Sequence, residues 1–166
     1  NFLGPLANPA RVRRQVVGVA DPGMADRIVH TLAELGASRA MVFFGHDGLD
    51  ELTTTDVSTV REYRDGEHRV WLLDPAEHGI ARSTRDALVG GDPAHNAAMA
   101  RRLLDGEPGP VRDVVVLNAA AALVVADAAP DLDAAIALAG RVIDEGAASA
   151  ALDRLVATST AHAEPS

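Results

Sequence analysis

Near the start of the chain two short β-branched runs flank one amphipathic helix, and this succession constrains the fold more than any other feature. Val16-Val17-Gly18-Val19-Ala20 reads as a buried strand. Asp21-Pro22-Gly23 then turns the chain, with Asp21 placed to cap and Pro22 suited to a first helical turn. Met24, Ile28, Leu32 and Leu35 recur at helical spacing until Gly36, which ends the helix. Arg39 to Phe44 is the second strand. A strand, a helix and a strand in that order predict a parallel pair joined by a crossover, the signature of the α/β class.

The second strand runs into Gly45-His46-Asp47-Gly48-Leu49-Asp50-Glu51-Leu52. This loop is expected at a strand's carboxyl end, where open α/β sheets bind ligands. Ser58 to Arg64 and His68 to Leu73 flank Asp65-Gly66, a dipeptide that supplies the positive φ of a two-residue hairpin turn. Asp74-Pro75 ends the hairpin. The remainder reads mostly as helix: Pro93 to Leu104 behind a capping Asp92, then Val111 to Ala128, Leu132 to Glu145 and Ala148 to Ala157. Val111 to Ala128 is apolar on most faces, which predicts a buried central helix. Gly and Pro crowd Asn1 to Arg14, predicting an irregular loop. The small polar residues from Thr158 predict a flexible tail over 158–166.

Composition removes several function classes. The 166 residues contain no cysteine, so disulfides and thiolate metal sites are excluded, which is compatible with a reducing compartment. All 15 basic residues are arginine, so no lysine can form a Schiff base or clamp a phosphate. A net charge of -9 without a basic run counts against nucleic acid as a partner. No apolar run reaches the ~20 residues of a membrane span. The chain opens Asn-Phe-Leu-Gly-Pro-Leu and not with Met, which reads as the middle of a protein.

Three segments hold the candidate chemistry. Asp50 and Glu51 are adjacent hard-oxygen donors in a strand-end loop, which suits Mg²⁺, a cation that takes one or two carboxylates and completes its shell with water and phosphate oxygens. The bare dipeptide by itself more often marks a solvated acidic turn, because adjacent acids are common in loops. Asn1 to Pro9 combines turn formers with two asparagines, as a rigid ligand-facing wall or an ordinary connection would. Gly109-Pro110-Val111-Arg112-Asp113 leads into Leu117-Asn118-Ala119. Arg112 and Asp113 are placed to pair or to cap the helix, and Asn118, inside an apolar helix, needs partners and is expected to brace a neighbouring loop. Of the six histidines, only His46 lies in the candidate loop, and none is spaced with a second ligand for zinc. No Walker loop, dinucleotide fingerprint or Gly-x-Ser-x-Gly elbow is present.

Together, Asn1 to Pro9, Gly48-Leu49-Asp50-Glu51-Leu52 and Gly109 to Asp113 with Val115 to Ala119 resemble anthranilate phosphoribosyltransferase, in matching order and spacing. Asp74 to Gly79 and Gly90 to Ala97 fit the same pattern, and the likeness runs to about Leu155. The resemblance implies the later part of a phosphoribosyltransferase-type α/β domain over 1–157, with mostly parallel strands, a β-hairpin and a helical C-terminal half. It implies a cytoplasmic enzyme of tryptophan biosynthesis that joins anthranilate to phosphoribosyl pyrophosphate and releases pyrophosphate. Mg²⁺ would be held at Asp50 and Glu51, and Gly4 would stand in the wall near anthranilate. No covalent nucleophile is implied.

The family's glycine-rich donor loop, phosphate-binding lysine, anthranilate-contacting arginine and dimerising helical domain all precede the segment matched by Asn1. The chain alone is therefore expected to be inactive, and the parent a homodimer. Phe44 stands where the family usually has histidine. Two other readings compete: a paralogue of the same fold that binds a nucleotide or protein without catalysis, and a nucleoside phosphorylase, which Gly-Leu-Asp-Glu does not suit.

Overall fold

The computed structural model describes residues 3–161; Asn1, Phe2 and 162–166 lie outside the described residues. The order is α1 (Leu3–Leu6), β1 (Arg14–Gly18), α2 (Pro22–Glu34), β2 (Arg39–Gly45), β3 (Ser58–Arg64), β4 (Glu67–Leu73), α3 (Pro93–Leu104), α4 (Pro110–Val125), α5 (Leu132–Asp144) and α6 (Ala147–Ala161). Two 3-10 turns, Pro75–His78 and Arg85–Leu88, lie between β4 and α3.

The crossover forms as expected. Asp21 caps α2 by accepting from the Gly23 N–H at 2.9 Å. β1 and β2 pair in parallel, with Val16 opposite Met41 and Gly18 opposite Phe43. β2 is central and buried on both faces. Ala40 and Val42 pack with Val17, Ile28, Val29 and Leu32 under α2. Met41 and Phe43 point the other way and pack with Val60, Leu73, Leu117 and Ala121, so α4 covers that face.

Among the described residues the sheet order is β1-β2-β3-β4, and only β1–β2 is parallel. The sheet is thus mixed where mostly parallel strands were expected. The reason is the connection: no crossover helix separates β2 from β3, so β3 returns antiparallel. At the β3–β4 turn Asp65 and Gly66 both adopt positive φ, 51° and 90°, the geometry their dipeptide predicts.

Other expectations shift in detail. Leu3–Leu6 is one helical turn inside the segment read as loop. α6 continues to Ala161, so the helix passes Thr158, where a flexible tail was expected to begin. Its hydroxyl residues are accommodated by bonding back to carbonyls, as Thr160 does to Val156 O at 2.8 Å. α4 stops at Val125, short of Ala128. Asp127 turns the chain with φ 59°, and arginines from the sheet take up the freed carbonyls. Arg39 donates to Val124 O at 2.8 Å and Arg14 to Ala126 O at 2.5 Å. α4 is also only partly buried. Leu117, Ala120 and Ala121 are within 1% of complete burial, whereas Val115 is 37% exposed.

Candidate functional site

Between Gly45 and Ser58, which pair across β2 and β3, residues 46–57 form a loop at the carboxyl end of β1 and β2. Asp47 holds this loop in shape. Its carboxylate accepts from the Thr53 hydroxyl at 2.7 Å, the Leu49 N–H at 3.2 Å and the Thr55 hydroxyl. Thr53, Thr54 and Ser58 are fully buried polar residues that find partners within reach. The Thr53 N–H donates to Ser58 Oγ at 3.0 Å, and the Thr54 and Ser83 hydroxyls lie 2.8 Å apart.

Burial alone presses the Asp47 carboxyl pKa upward, but the bonds from Thr55, Thr53 and Leu49 outweigh it and hold the pKa below its usual value. A carboxylate held low stabilises the fold above its unfolded pKa of about 4 and loses that contribution as pH falls through the lower folded value. Thr55→Val is therefore expected to cost ~1.5 kcal/mol at pH 7, since it removes a hydrogen bond to a charged group. That difference should shrink steadily below pH ~4. Urea denaturation of both proteins across pH 2.5 to 7, roughly the span of that titration, checks it; a cost that does not change with pH would refute the role given to Asp47.

Asp50 and Glu51 are exposed, and among the described residues no ion pair or side-chain hydrogen bond engages either carboxylate. Together with Val16, Gly18, Phe43, Val115 and Asn118 they line a shallow open groove between the end of the sheet and α4. The residue after them is anchored deeply. Leu52 is 1% exposed, and Asn118 holds its backbone. Asn118 Oδ1 accepts from the Leu52 N–H at 3.0 Å while Nδ2 donates to Leu52 O at 2.8 Å. Asn118 thus braces a loop, as its place in an apolar helix suggested.

The donor set suits Mg²⁺. Among the described residues both carboxylates are free of partners, and no group of three acids, histidines or cysteines could form a closed metal cage. Mg²⁺ commonly binds through one or two carboxylates and takes its other oxygens from water and substrate phosphates.

Not every candidate joins this site. Gly4 lies in α1, whose Pro5 and Leu6 share a groove with Leu32, Leu35 and Ala37. That is the end of α2 beside the start of β1, whereas Asp50 sits against Gly18 at the other end of β1. The structure therefore does not bring Gly4 to the acidic pair. Gly4 is exposed, with no atom within 4 Å of where a Cβ would stand. His46 bonds to the Thr59 hydroxyl at 2.8 Å and stacks on Phe44 at 5.9 Å. Arg112 does not pair with Asp113. It reaches across to Asp144 at 2.7 Å and to Gly106 O at 3.0 Å, because its side chain leaves α4 toward α5. Burial raises the Asp113 pKa, with Arg112 opposing the shift.

Sequence reasoning passed over Gly18 and Asp47. A lone glycine inside a strand run is a signal of close backbone approach, and at Gly18 a Cβ would fall 1.5 Å from Asp50 O. Asp47 had no such signal, since its threonine partners are recognised only once the loop closes.

The chain matches the family described as "Glycosyl transferase family, a/b domain" over residues 1–149. It is 50% identical over 161 residues to the anthranilate phosphoribosyltransferase of Methylobacterium nodulans, covering 97% of this chain and 48% of that protein. Among solved structures, the anthranilate phosphoribosyltransferase of Thermus thermophilus superposes with a TM-score of 0.85 at 41% identity, over 94% of this chain and 46% of that one. The Saccharomyces cerevisiae enzyme in complex with PRPP and Mg shares the fold, with a TM-score of 0.81 at 23% identity, over 91% of this chain and 44% of that one. The chain spans about half the length of the curated relatives it matches. Among the described residues no helix is long and apolar enough to cross a membrane. With the matched region taking in the acidic loop, the sheet and the helix that braces them, the chain belongs to the glycosyl transferase family, within its a/b domain.

Proposed function

We infer that this chain is the metal-holding portion of an anthranilate phosphoribosyltransferase, which transfers the phosphoribosyl group of phosphoribosyl pyrophosphate to anthranilate and releases pyrophosphate. The observation that carries this reading is the Asp50–Glu51 pair, exposed at the carboxyl end of β2 and without a side-chain partner among the described residues, on an otherwise tightly bonded loop. In this reading 1–157 is the C-terminal portion of the α/β catalytic domain. The donor's remaining phosphate contacts, and the helices through which the parent would form a homodimer, would lie in the half of the relatives' length that this chain does not span. A cytoplasmic location goes with such a biosynthetic role.

Asp50 and Glu51 would hold Mg²⁺ at the pyrophosphate. When bound, the metal neutralises negative charge that grows on the departing group. The chain's own contribution is positional. The Asp47-Thr53-Thr55 bonds hold the loop that carries the two acids, and Val16, Phe43 and Val115 give the open groove an apolar side. Gly4, exposed and unobstructed, would lie in the wall near anthranilate once the rest of the parent covers it.

The test is to express the chain with whatever coding sequence lies upstream of Asn1 and supply anthranilate, phosphoribosyl pyrophosphate and Mg²⁺. Consumption of anthranilate with one pyrophosphate released per turnover is expected. The 166-residue chain alone is expected to show none, because catalytic groups that act as a unit fail together. Binding of the donor without turnover in the longer protein would replace this reading with that of a non-catalytic paralogue.

A further inference from the structure

Two residues remote from the acidic loop in sequence determine where its backbone lies. Gly18 ends β1 directly under Asp50, where a Cβ would stand 1.5 Å from the Asp50 carbonyl oxygen and 2.6 Å from its carbon. Any side chain there must push the Asp50 peptide away. From the other side, Asn118 on α4 closes a two-bond ring with the Leu52 peptide, at 3.0 Å and 2.8 Å. Its Nδ2 also donates to Val114 O at 2.9 Å, which orients the amide before it meets the loop. Only one orientation of that amide serves all three bonds, since Leu52 offers one N–H and one carbonyl and Val114 a carbonyl.

A polar amide within an apolar helix face is costly unless paired, and here both pairing groups belong to the residue that follows the acids. Adjacent like charges favour separation, so a free loop would spread the carboxylates over many arrangements. A steric seat on one side and a paired clasp on the other reduce them to few.

We propose that Gly18 and Asn118 are positioning residues of a divalent-cation site, setting the Asp50–Glu51 peptide so that both carboxylates face the same groove. This rests on the metal reading given above. Neither residue touches the cation or the reacting atoms; each acts through the backbone of the loop. Residues that orient metal ligands typically matter 10- to 100-fold in metal affinity.

The experiment titrates Mn²⁺, as a paramagnetic stand-in for Mg²⁺, into isotope-labelled 166-residue chain and reads residue-specific NMR line broadening. Gly18→Ala and Asn118→Ala are compared with the unaltered chain. In the unaltered chain, broadening should centre on Asp50 and Glu51. Either variant should weaken it about tenfold or more while amide shifts outside 46–57 and near β1 and α4 persist. Localised broadening of equal strength in a folded variant would overturn the positioning role and leave the metal reading standing. No localised broadening in the unaltered chain would overturn the metal reading, and this inference with it. Loss of the fold in both variants would assign the two residues to stability and overturn the proposal. If only one variant folds, that one decides.

Discussion

Asp50→Asn combined with Glu51→Gln, made in the longer protein that carries this chain, is expected to lower turnover roughly a hundredfold, a loss of ~3 kcal/mol of transition-state stabilisation. The amides keep the side-chain volumes and remove two charges. They are poor ligands for a hard cation, so the Mg²⁺ dependence should flatten or move to higher concentration. Stability should change by less than about 0.5 kcal/mol, the usual range for surface positions without partners. The structure supports that separation, since both carboxylates are exposed and unpaired among the described residues while Asp47, Thr53 and Asn118 carry the bonds that shape the loop. Steady-state kinetics across a Mg²⁺ titration, run beside thermal melts, distinguish the possibilities. Near-normal turnover would make the pair a solvated acidic turn; unfolding would make it structural.

The second large effect is expected at the opposite end of the sheet, in stability alone. Arg39 is 5% exposed, and Asp127, just beyond α4, pairs with it and with Arg14, the latter at 2.5 Å. Burial, then the nearby Arg64, presses the Arg39 pKa below its usual value, so the cation is held where it is poorly solvated. Removing its partner leaves that charge with the carbonyl of Val124 and the favourable charges of Glu62 and Asp65, which oppose the downward shift but make no contact as close as that of Asp127. Breaking a fully buried pair costs ~3–5 kcal/mol. Asp127 is about half exposed, and solvent screening brings the expectation for Asp127→Ala down to ~2–3 kcal/mol. Part of this comes from the backbone, because Asp127 holds φ 59°, a conformation that aspartate and asparagine tolerate better than alanine. Asp127→Asn keeps that tolerance and removes only the charge, so it should fall between the native chain and Asp127→Ala. Urea denaturation of the three proteins measures the series. A cost below ~0.5 kcal/mol for Asp127→Ala, the range of an ordinary surface change, would show that Arg39 is satisfied without its partner.

The elements that formed as the sequence predicts are those whose cause is local. Helix α2 follows from the spacing of Ile28 and Leu32 and the cap at Asp21, and the β3–β4 turn from the positive φ that Asp65-Gly66 accepts. The parallel pair of β1 and β2 follows from a crossover helix between two apolar runs. The acidic loop was legible for the same reason, because a strand end and two adjacent carboxylates are contiguous in the chain. Asn118 announced only half of its role: an amide in an apolar helix must find partners, but nothing near it named Leu52, 66 residues away.

Tertiary structure alone decided the remainder. Gly18 became a seat for Asp50 when the loop folded over the end of β1, and Arg112 met Asp144 and not its neighbour Asp113 because successive helix residues point in different directions. Arg39 and Arg14, which local patterning treats as strand-edge charges, came to close the end of α4 through Asp127. The antiparallel return of β3 depended on the absence of a crossover helix after β2. Each of these depends on which surfaces meet after packing, and a pattern of period two or 3.6 specifies a residue's face without specifying what that face will touch.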